Sequence, residues 1–367
     1  MKFTCNQQDL IKNINIVSKA ISTRTTIPTL KGILFDVKDG KLKMTASDMD
    51  ITIESTIDVD STENGTLVVP SSKFIDYIRK LPHENVEITS ENNNINIKCL
   101  TSSSSIVGMD GSEYPVISYS EEGKNKITLN KDTLSNMIKK TSFAVSLDQT
   151  KGVLTGVLLD IDEDSIKTVA IDGFRMAYNK VNEKAERKEK FIILGKLAND
   201  INKIFSDIDE DEVEFYYDDK NGLIKLDNVR VSIRFLAGEF IKYNDIIPKD
   251  MLINVQVNRN DVINAVERAS IMADGKNNTI RLSIRESVMT ISSNSEEGGT
   301  IEDLLIKKTG DDIEIGFNAR YIIDILKVID DEDVILNFNS PITPCVITPV
   351  DGDRFIYMLF PVRINNN

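Results

Sequence analysis

The sequence predicts an α+β fold in which one unit of about 123 residues is present three times. Two helical patterns carry this prediction, because each recurs at nearly constant spacing, and self-similarity at a fixed period is typical of repeated architectures. A third observation is a hairpin-like stretch that lies between the two helical patterns in every copy. The apolar residues that begin the six helical stretches are Leu10, Leu134 and Val262 in the first set and Phe74, Leu197 and Tyr321 in the second.

The first helix of each copy is predicted from the stretches "DLIKNINIVSKA", "DTLSNMIKKTS" and "DVINAVERAS". In each stretch apolar residues return four and seven positions after the first one, as on one face of a helix, and Thr141 is the exception. Helices are therefore expected over residues 9–20, 132–142 and 261–270.

A central hairpin follows in each copy, in "FDVKDGKLKMTASD", "LDIDEDSIKTVAID" and "LSIRESVMTISSN". Asp39 and Gly40 form a two-residue turn signal in the first of them. The second hairpin ends in "VAIDGFRMAY", and this copy alone carries Gly173, Phe174 and Arg175 at that place. A repeat that departs from its siblings at one spot indicates a local function there.

The second helix of each copy is predicted from "KFIDYIRKL", "KLANDINKI" and "RYIIDILKV", over residues 73–81, 196–204 and 320–328. Alternating strands follow each helix, and Asn221 with Gly222 is a hairpin-turn signal in the second copy. Each copy therefore looks like two half-units. The predicted domains are residues 1–125, 126–252 and 253–367.

Composition excludes several classes of function. The chain of 367 residues has a net charge of -14, which argues against a simple basic nucleic-acid binder. His83 is the only histidine, so a histidine-based triad or a multi-histidine metal site is excluded. The three cysteines are far apart and are expected to be buried reduced thiols, without disulfide or metal. No apolar run is long enough to span a membrane, and "MKFTCNQQDL" lacks the apolar region of a signal peptide, which favours a cytoplasmic protein.

Two acidic runs, from Asp160 and from Asp207, place carboxylates at alternate positions as a calcium loop does. In the second run the sixth position is Glu212 instead of glycine and the twelfth is Asp218 instead of glutamate, so the calcium-loop pattern fails. Both runs are interpreted as solvated turns, and no metal is expected.

Charge on the six predicted helices suggests what the repeats do. The helices contain twelve basic and seven acidic residues, although the whole chain is strongly acidic. Similar units in series can close into a ring, and basic helices on its inner wall would contact phosphates without reading bases. The helix cations are Lys12, Lys19, Lys73, Lys80, Lys139, Lys196, Lys203, Arg268, Arg320 and Lys327.

With these elements in place, the chain resembles the bacterial sliding-clamp family, the β subunit of DNA polymerase III, from end to end. The resemblance depends on "MKFT", "TIPTLKGILFDV", "VVPSSKFIDYIRKLP", "TVAIDGFRMA", "IEIGFNARYIIDIL", "SPITPCVI" and "FPVR". It implies three DNA-clamp domains per chain and a head-to-tail homodimer that closes into a ring around double-stranded DNA. It also implies a non-catalytic processivity subunit without cofactors, whose partners are the replicative polymerase, the clamp loader and other proteins that carry clamp-binding peptides.

The resemblance also implies a pocket for those peptides around "VAIDGFRMAY". Two departures from the family pattern lie in it: Ile241 replaces a rim proline, and Phe360 in "FPVRINNN" replaces a methionine, which should stiffen one wall. The pocket residues are Leu154, Ile171, Gly173, Phe174, Arg175, Met176, Ile241, Ile246, Pro341, Thr343, Met358, Phe360, Pro361, Val362 and Arg363.

Further positions follow from the same resemblance. Arg24, Lys73, Gln149 and Lys196 are the expected DNA contacts. Ser104 and Ile106 are expected to meet Ile271 and Met272 of the other chain, and the family often has an aromatic residue in place of Ser104.

Two other classes of function stay open at this stage. A metal-dependent hydrolase would need convergent carboxylates, but the acidic residues lie on the turns of separate repeats. A repeat scaffold that binds only protein is the second alternative, and loading onto DNA at varied salt separates it from a clamp.

Overall fold

The computed structural model describes residues 1–22, 25–115, 119–184, 187–273 and 278–364. Within these residues the order strand, helix and three strands occurs six times, twice in each repeat. The first repeat contains β1 (Lys2–Asn6), α1 (Gln7–Val17), β2 (Gly32–Lys38), β3 (Lys41–Ser47), β4 (Ile51–Asp58), β5 (Asp60–Glu63), β6 (Gly65–Pro70), α2 (Ser71–Lys80), β7 (Asn85–Glu91), β8 (Asn94–Cys99), β9 (Ser102–Val107) and β10 (Met109–Asp110).

The second repeat contains β11 (Asn125–Asn130), α3 (Lys131–Thr141), β12 (Gly156–Asp162), β13 (Ser165–Ile171), β14 (Arg175–Val181), β15 (Glu189–Leu194), α4 (Gly195–Phe205), β16 (Glu212–Tyr217), β17 (Asn221–Leu226) and β18 (Val229–Arg234). The third contains β19 (Ile253–Asn258), α5 (Arg259–Ile271), β20 (Thr279–Arg285), β21 (Val288–Ser295), β22 (Gly298–Leu305), β23 (Lys307–Thr309), β24 (Ile313–Asn318), α6 (Ala319–Lys327), β25 (Asp333–Phe338), β26 (Cys345–Pro349) and β27 (Phe355–Leu359). The predicted α+β class is confirmed, and all six helices begin within two residues of their predicted starts.

Local chemistry explains where the helices begin. The side chains of Asn6, Asn258 and Asn318 each accept a hydrogen bond from a backbone N–H in the first turn of the following helix. Such caps satisfy donors that have no partner within the helix. Thr141, the exception in the apolar pattern, is buried, and its hydroxyl donates to the Met137 carbonyl at 2.9 Å.

The turn signals have mixed outcomes. Asp39 and Gly40 both have positive φ and join β2 to β3, as predicted. The prediction for Asn221 and Gly222 is wrong, because both lie in β17. The carboxylate of Asp218 accepts the N–H groups of Lys220 and Asn221 and thereby fixes the turn earlier in the chain.

Contacts divide the chain into two compact units. The first comprises Met1–Asp132 and Asp200–Phe235, with a nine-stranded sheet in the order β10-β6-β2-β3-β4-β18-β17-β16-β11 and a five-stranded sheet in the order β5-β1-β7-β8-β9. The second comprises Thr133–Asn199 and Leu236–Asn367, with a nine-stranded sheet in the order β15-β12-β13-β14-β27-β26-β25-β19-β23 and a four-stranded sheet in the order β22-β21-β20-β24.

Each nine-stranded sheet therefore combines strands of two successive repeats. The repeats meet at the antiparallel pair β4–β18 in the first unit and at β14–β27 in the second. The middle repeat contributes to both units, and the domain boundaries after residues 125 and 252 stay a prediction. In the described part of the chain, no helix combines the length and the apolar character needed to cross a membrane.

Candidate functional site

The stretch "VAIDGFRMAY", where the second repeat differs from the other two, forms a tight turn between β13 and β14. The Asp172 carboxylate accepts the backbone N–H groups of Phe174 at 2.8 Å and Arg175 at 2.9 Å. Gly173 has a φ of +94°, which glycine adopts without steric cost, and a Cβ there would meet only the Nζ of Lys151 at 3.7 Å. The turn therefore projects into open space at Gly173.

The guanidinium of Arg175 holds this turn against the rest of the second unit. Its Nε donates to Asp172 at 3.0 Å, its Nη1 to Asp324 at 2.7 Å and its Nη2 to the Phe143 carbonyl at 2.8 Å. The ring of Tyr321 lies 4.4 Å from the guanidinium carbon. Arg175 is 8% exposed, and all three of its nitrogens have internal acceptors. The residue is thus placed at the site, but its side chain points into the protein.

Phe174 forms an exposed apolar platform beside that network. Its side chain is 55% exposed, and its ring stacks on Tyr321 with centroids 6.4 Å apart and an angle of 30° between the ring planes. The ammonium of Lys151 lies 5.3 Å from the ring centroid. Tyr321 stacks on Phe174 and has Arg175 over its own ring, so Phe174 has a fixed neighbour although it faces solvent.

The pair β14–β27 joins this turn to the chain's last strand. Met176 lies opposite Met358 in the pair, and the N–H of Phe360 donates to the Phe174 carbonyl at 2.9 Å. Ile171, Met176 and Met358 belong to one buried apolar cluster, against which Leu154 packs. Four of the predicted pocket residues therefore form a closed floor.

Other predicted pocket residues lie at the surface of the second unit. Ile241, Ile246 and Phe360 are 40%, 37% and 39% exposed. Pro341 and Arg363 are exposed, and Pro361 and Val362 are half-buried. Thr343 bonds locally, since its hydroxyl oxygen donates to the Ser340 carbonyl and accepts the Ser340 N–H. The last three asparagines lie outside the described residues.

The phenols near the floor are structural. Tyr243 donates its hydroxyl to the carboxylate of Asp160 at 2.8 Å, and burial raises its pKa. Burial likewise raises the pKa of Tyr178 to about 12. Both groups therefore stay neutral near pH 7 and suit hydrogen bonding, not proton transfer.

The predicted DNA contacts are distributed over both units. Lys73 lies in the first turn of α2, Lys196 in the first turn of α4 and Gln149 in a short 3-10 helix, and all three are exposed. Arg24 lies outside the described residues. Several other helix cations have carboxylate partners: Lys19 with Asp207, Lys203 with Asp200, Arg268 with Glu302 and Lys327 with Glu267. These pairs lower the net positive charge that the helices present.

The predicted interface residues lie at two sheet margins. Ser104 and Ile106 are half-buried on β9, the outermost strand of the five-stranded sheet. Ile271 ends α5 with 76% exposure, and Met272 follows it. Ile301 and Leu305 lie on the edge strand β22, are 75% and 85% exposed, and were not among the predicted interface residues. Their alternation in "GGTIEDLL" was the available signal.

The described residues of this site provide exposed apolar surface beside a buried ion-pair network. Within the described ranges, no group of three or more histidine, cysteine, aspartate or glutamate side chains is placed to hold a metal ion. The three cysteines are free and buried, as expected.

Comparisons with known proteins agree over the whole chain. The family models for the DNA polymerase III beta subunit match as N-terminal domain at residues 1–118, central domain at 128–242 and C-terminal domain at 244–363. The chain is 34% identical to a beta sliding clamp of Staphylococcus epidermidis and 33% identical to that of Staphylococcus aureus, with 99% of both chains covered in each case.

Solved structures agree as well. The DNA polymerase sliding clamp of Bacillus subtilis has 30% identity and a TM-score of 0.93, with 100% of both chains covered. A putative DNA polymerase III beta subunit from Eubacterium rectale has 31% identity and a TM-score of 0.94, and the beta subunit from Thermotoga maritima has 27% and 0.94; each covers 99% of this chain and 100% of its own.

Three repeated domains and the agreement with sliding clamps along the whole chain define a DNA sliding clamp. The family is a non-catalytic processivity factor, which confirms the prediction that the chain is not an enzyme. The chain belongs to the DNA polymerase III beta subunit family. Its partners accordingly include DNA and the polymerase.

Proposed function

We propose that this chain acts in the cytoplasm as a head-to-tail homodimer that closes into a ring around duplex DNA. In this proposal the pocket around Phe174 and Phe360 receives short peptides from the replicative polymerase, the clamp loader and other proteins. The observation that carries the peptide-binding part is the pair of exposed phenylalanines, which a backbone hydrogen bond holds together above a buried apolar floor.

This geometry suits an extended peptide with apolar side chains. Exposed apolar surface with a rigid base is characteristic of binding hot spots, where one buried anchor contributes about 2 kcal/mol or more. Phe174 is held by Tyr321, and Arg175 positions the turn through its internal acceptors. The role proposed for Arg175 is therefore positioning, and Arg363 and the rim residues Ile241 and Ile246 make the direct contacts.

Two of the terminal strands in the sheets support the dimer. β9 presents Ser104 and Ile106, and β22 presents Ile301 and Leu305. Open edges invite pairing with another chain. In this dimer Ser104 and Ile106 contact the partner's Ile271 and the partner's Met272. Strand β9 of one subunit then lies beside β22 of the other.

DNA contacts in this proposal are electrostatic and independent of sequence. Lys73 and Lys196 approach phosphates from the helices, and Arg24 and Gln149 approach from loops. Such contacts position a protein on DNA but carry no base information.

The decisive experiment measures binding of a fluorescent peptide from the polymerase tail by anisotropy. Gly173→Trp fills the open space at the turn and should abolish binding, while the hold on DNA stays intact. Gly173→Ala is the matched control, because it carries the same strain at positive φ without the bulk. If Gly173→Trp bound the peptide as tightly as Gly173→Ala, the pocket would be misassigned. A chain that bound peptide but never loaded onto circular DNA would instead be a protein-only scaffold.

A further inference from the structure

The first unit contains a turn with the same geometry as the turn at Gly173. It joins β3 to β4 and consists of Asp48, Met49 and Asp50. The carboxylate of Asp48 accepts the N–H groups of Asp50 at 3.2 Å and Ile51 at 3.0 Å, as Asp172 does in the second unit.

The strand that follows this turn is also paired in the same way. β4 pairs with β18, where Ile51 lies opposite Ile233, just as Arg175 lies opposite Leu359. The N–H of Arg234 donates to the Asp50 carbonyl at 2.9 Å, which matches the bond from Phe360 to Phe174. The first unit therefore repeats the backbone hydrogen bonds of the turn at Gly173 with different side chains.

A cavity of about 360 Å³ lies at this turn, within the range of ligand sites. Met49 lines it with 53% exposure and a φ of +80°, a conformation that a residue other than glycine rarely adopts. Ile233 is buried in the lining. The cavity is thus lined by the exposed side chain of Met49 and the buried side chain of Ile233. In the second unit the position of Met49 is occupied by Gly173, which has no side chain.

The lining of this cavity contains more cations than carboxylates. Its charged lining residues are Lys220, Arg234 and Asp50, and all three are exposed. Within the described part of the chain, neither Lys220 nor Arg234 makes an ion pair, whereas the neighbouring Lys124 pairs with Asp218. The lining has a net positive charge in a chain whose net charge is -14. A ligand with carboxylates and an apolar side chain complements it.

A nucleic acid fits less well. Single strands are held by cations together with aromatic rings on which bases stack. Tyr119, the aromatic ring of this cavity, already has the ammonium of Lys124 5.0 Å from its centroid, and its hydroxyl donates to the Asn221 carbonyl.

We propose that the cavity at Met49 is a second peptide-docking site, which binds acidic extended segments of clamp-bound proteins. Carboxylates of the segment pair with Lys220 and Arg234, and an apolar side chain of the segment packs on Met49. The site uses the proposed pocket at Gly173 only as a geometric comparison, so each can fail without the other.

The test uses anisotropy of the full chain with a fluorescein-labelled octapeptide that alternates aspartate and leucine. Binding should weaken by about tenfold or more in the double variant Lys220→Glu and Arg234→Glu, because the reversed charges would repel the carboxylates of the peptide. Gly173→Trp should leave it unchanged. A peptide that alternates lysine and leucine and a ten-nucleotide oligothymidine are the controls.

A second measurement avoids the charge reversal. In the parent chain labelled with methyl-13C methionine, the Met49 resonance, assigned with Met49→Leu, should shift on addition of the acidic peptide. Equal binding by parent and double variant, loss of binding in Gly173→Trp alone, or an unmoved Met49 resonance would each overturn the proposal. Tighter binding of oligothymidine than of the acidic peptide would make the cavity a phosphate site and would equally refute it.

Discussion

At the residue scale, Arg175 shows what the sequence alone left undetermined. Its position at the end of the hairpin suggested a direct contact with a peptide, but its partners are internal. Asp324 is 149 positions away along the chain, and the Phe143 carbonyl is 32 positions away. No local pattern pairs residues at such separations, so only the fold reveals that Arg175 acts by holding Phe174 and its turn in place.

Arg175→Lys is expected to weaken both the turn and the binding of peptides. A lysine retains the charge but lacks the planar fork that reaches three acceptors, and breaking a buried pair leaves a carboxylate uncompensated, at a cost of about 3 kcal/mol. The measurements are the free energy of unfolding and the affinity for the labelled polymerase peptide. Arg268→Lys serves as the control, because it makes the same exchange at an exposed arginine that pairs with Glu302. Unchanged affinity in a destabilised Arg175→Lys would limit Arg175 to a structural role.

The buried thiols give a prediction about pH. Burial raises the pKa of Cys5 to about 12 and also raises that of Cys345. A raised pKa favours the neutral thiol in the folded state, so its stabilising effect is complete below about pH 9 and declines as the pH rises toward 12. The native chain should therefore react with a disulfide reagent at pH 8 at least about a hundredfold more slowly than the chain unfolded in guanidinium. Rapid reaction of a thiol in the native chain would contradict this burial.

At the scale of single elements, the six helices were accessible to prediction because their determinants are local. Apolar residues at spacings of four and seven define the buried face, and a preceding asparagine often marks the start. The hairpin near Asn221 was misplaced for an equally local reason, namely that a carboxylate cap at Asp218 competes with the glycine signal. The cavity at Met49 depends on pairing between β4 and β18, which periodicity does not reveal.

The edge strands and the end of α5 carry the prediction for the dimer. Replacing both Ile271 and Met272 with aspartate would bury unpaired charge at the proposed contact and should raise the dimer dissociation constant about a hundredfold. Sedimentation over a range of concentrations measures the change. Leu147→Asp changes another exposed apolar residue, 91% exposed, and should leave the dimer intact. A full dimer at low concentration in the double variant would place the interface elsewhere.

At the scale of the whole molecule, the chain is acidic overall, yet exposed cations lie on its repeated helices. Removing one phosphate contact should lower the salt dependence of DNA retention by about one unit of slope and affect all DNA sequences equally. Lys73→Ala tests this through the lifetime of the loaded clamp on circular DNA at several salt concentrations. Lys41→Ala, which removes a cation paired with Asp58, is the charge-matched control. A loss that depended on base sequence would argue against a clamp that slides.

The strand pairs β4–β18 and β14–β27 have a consequence for how such a chain can be divided. A fragment cut after the first repeat would end its larger sheet at β4, where the N–H of Thr56 normally donates to Asn228. Unpaired N–H and C=O groups on an edge strand readily form hydrogen bonds with a strand of another chain. Separated repeats should therefore recombine with one another or aggregate, and should not behave as independent domains. We therefore expect the cooperative units of unfolding to follow the two nine-stranded sheets that the repeats share, and not the threefold period of the sequence.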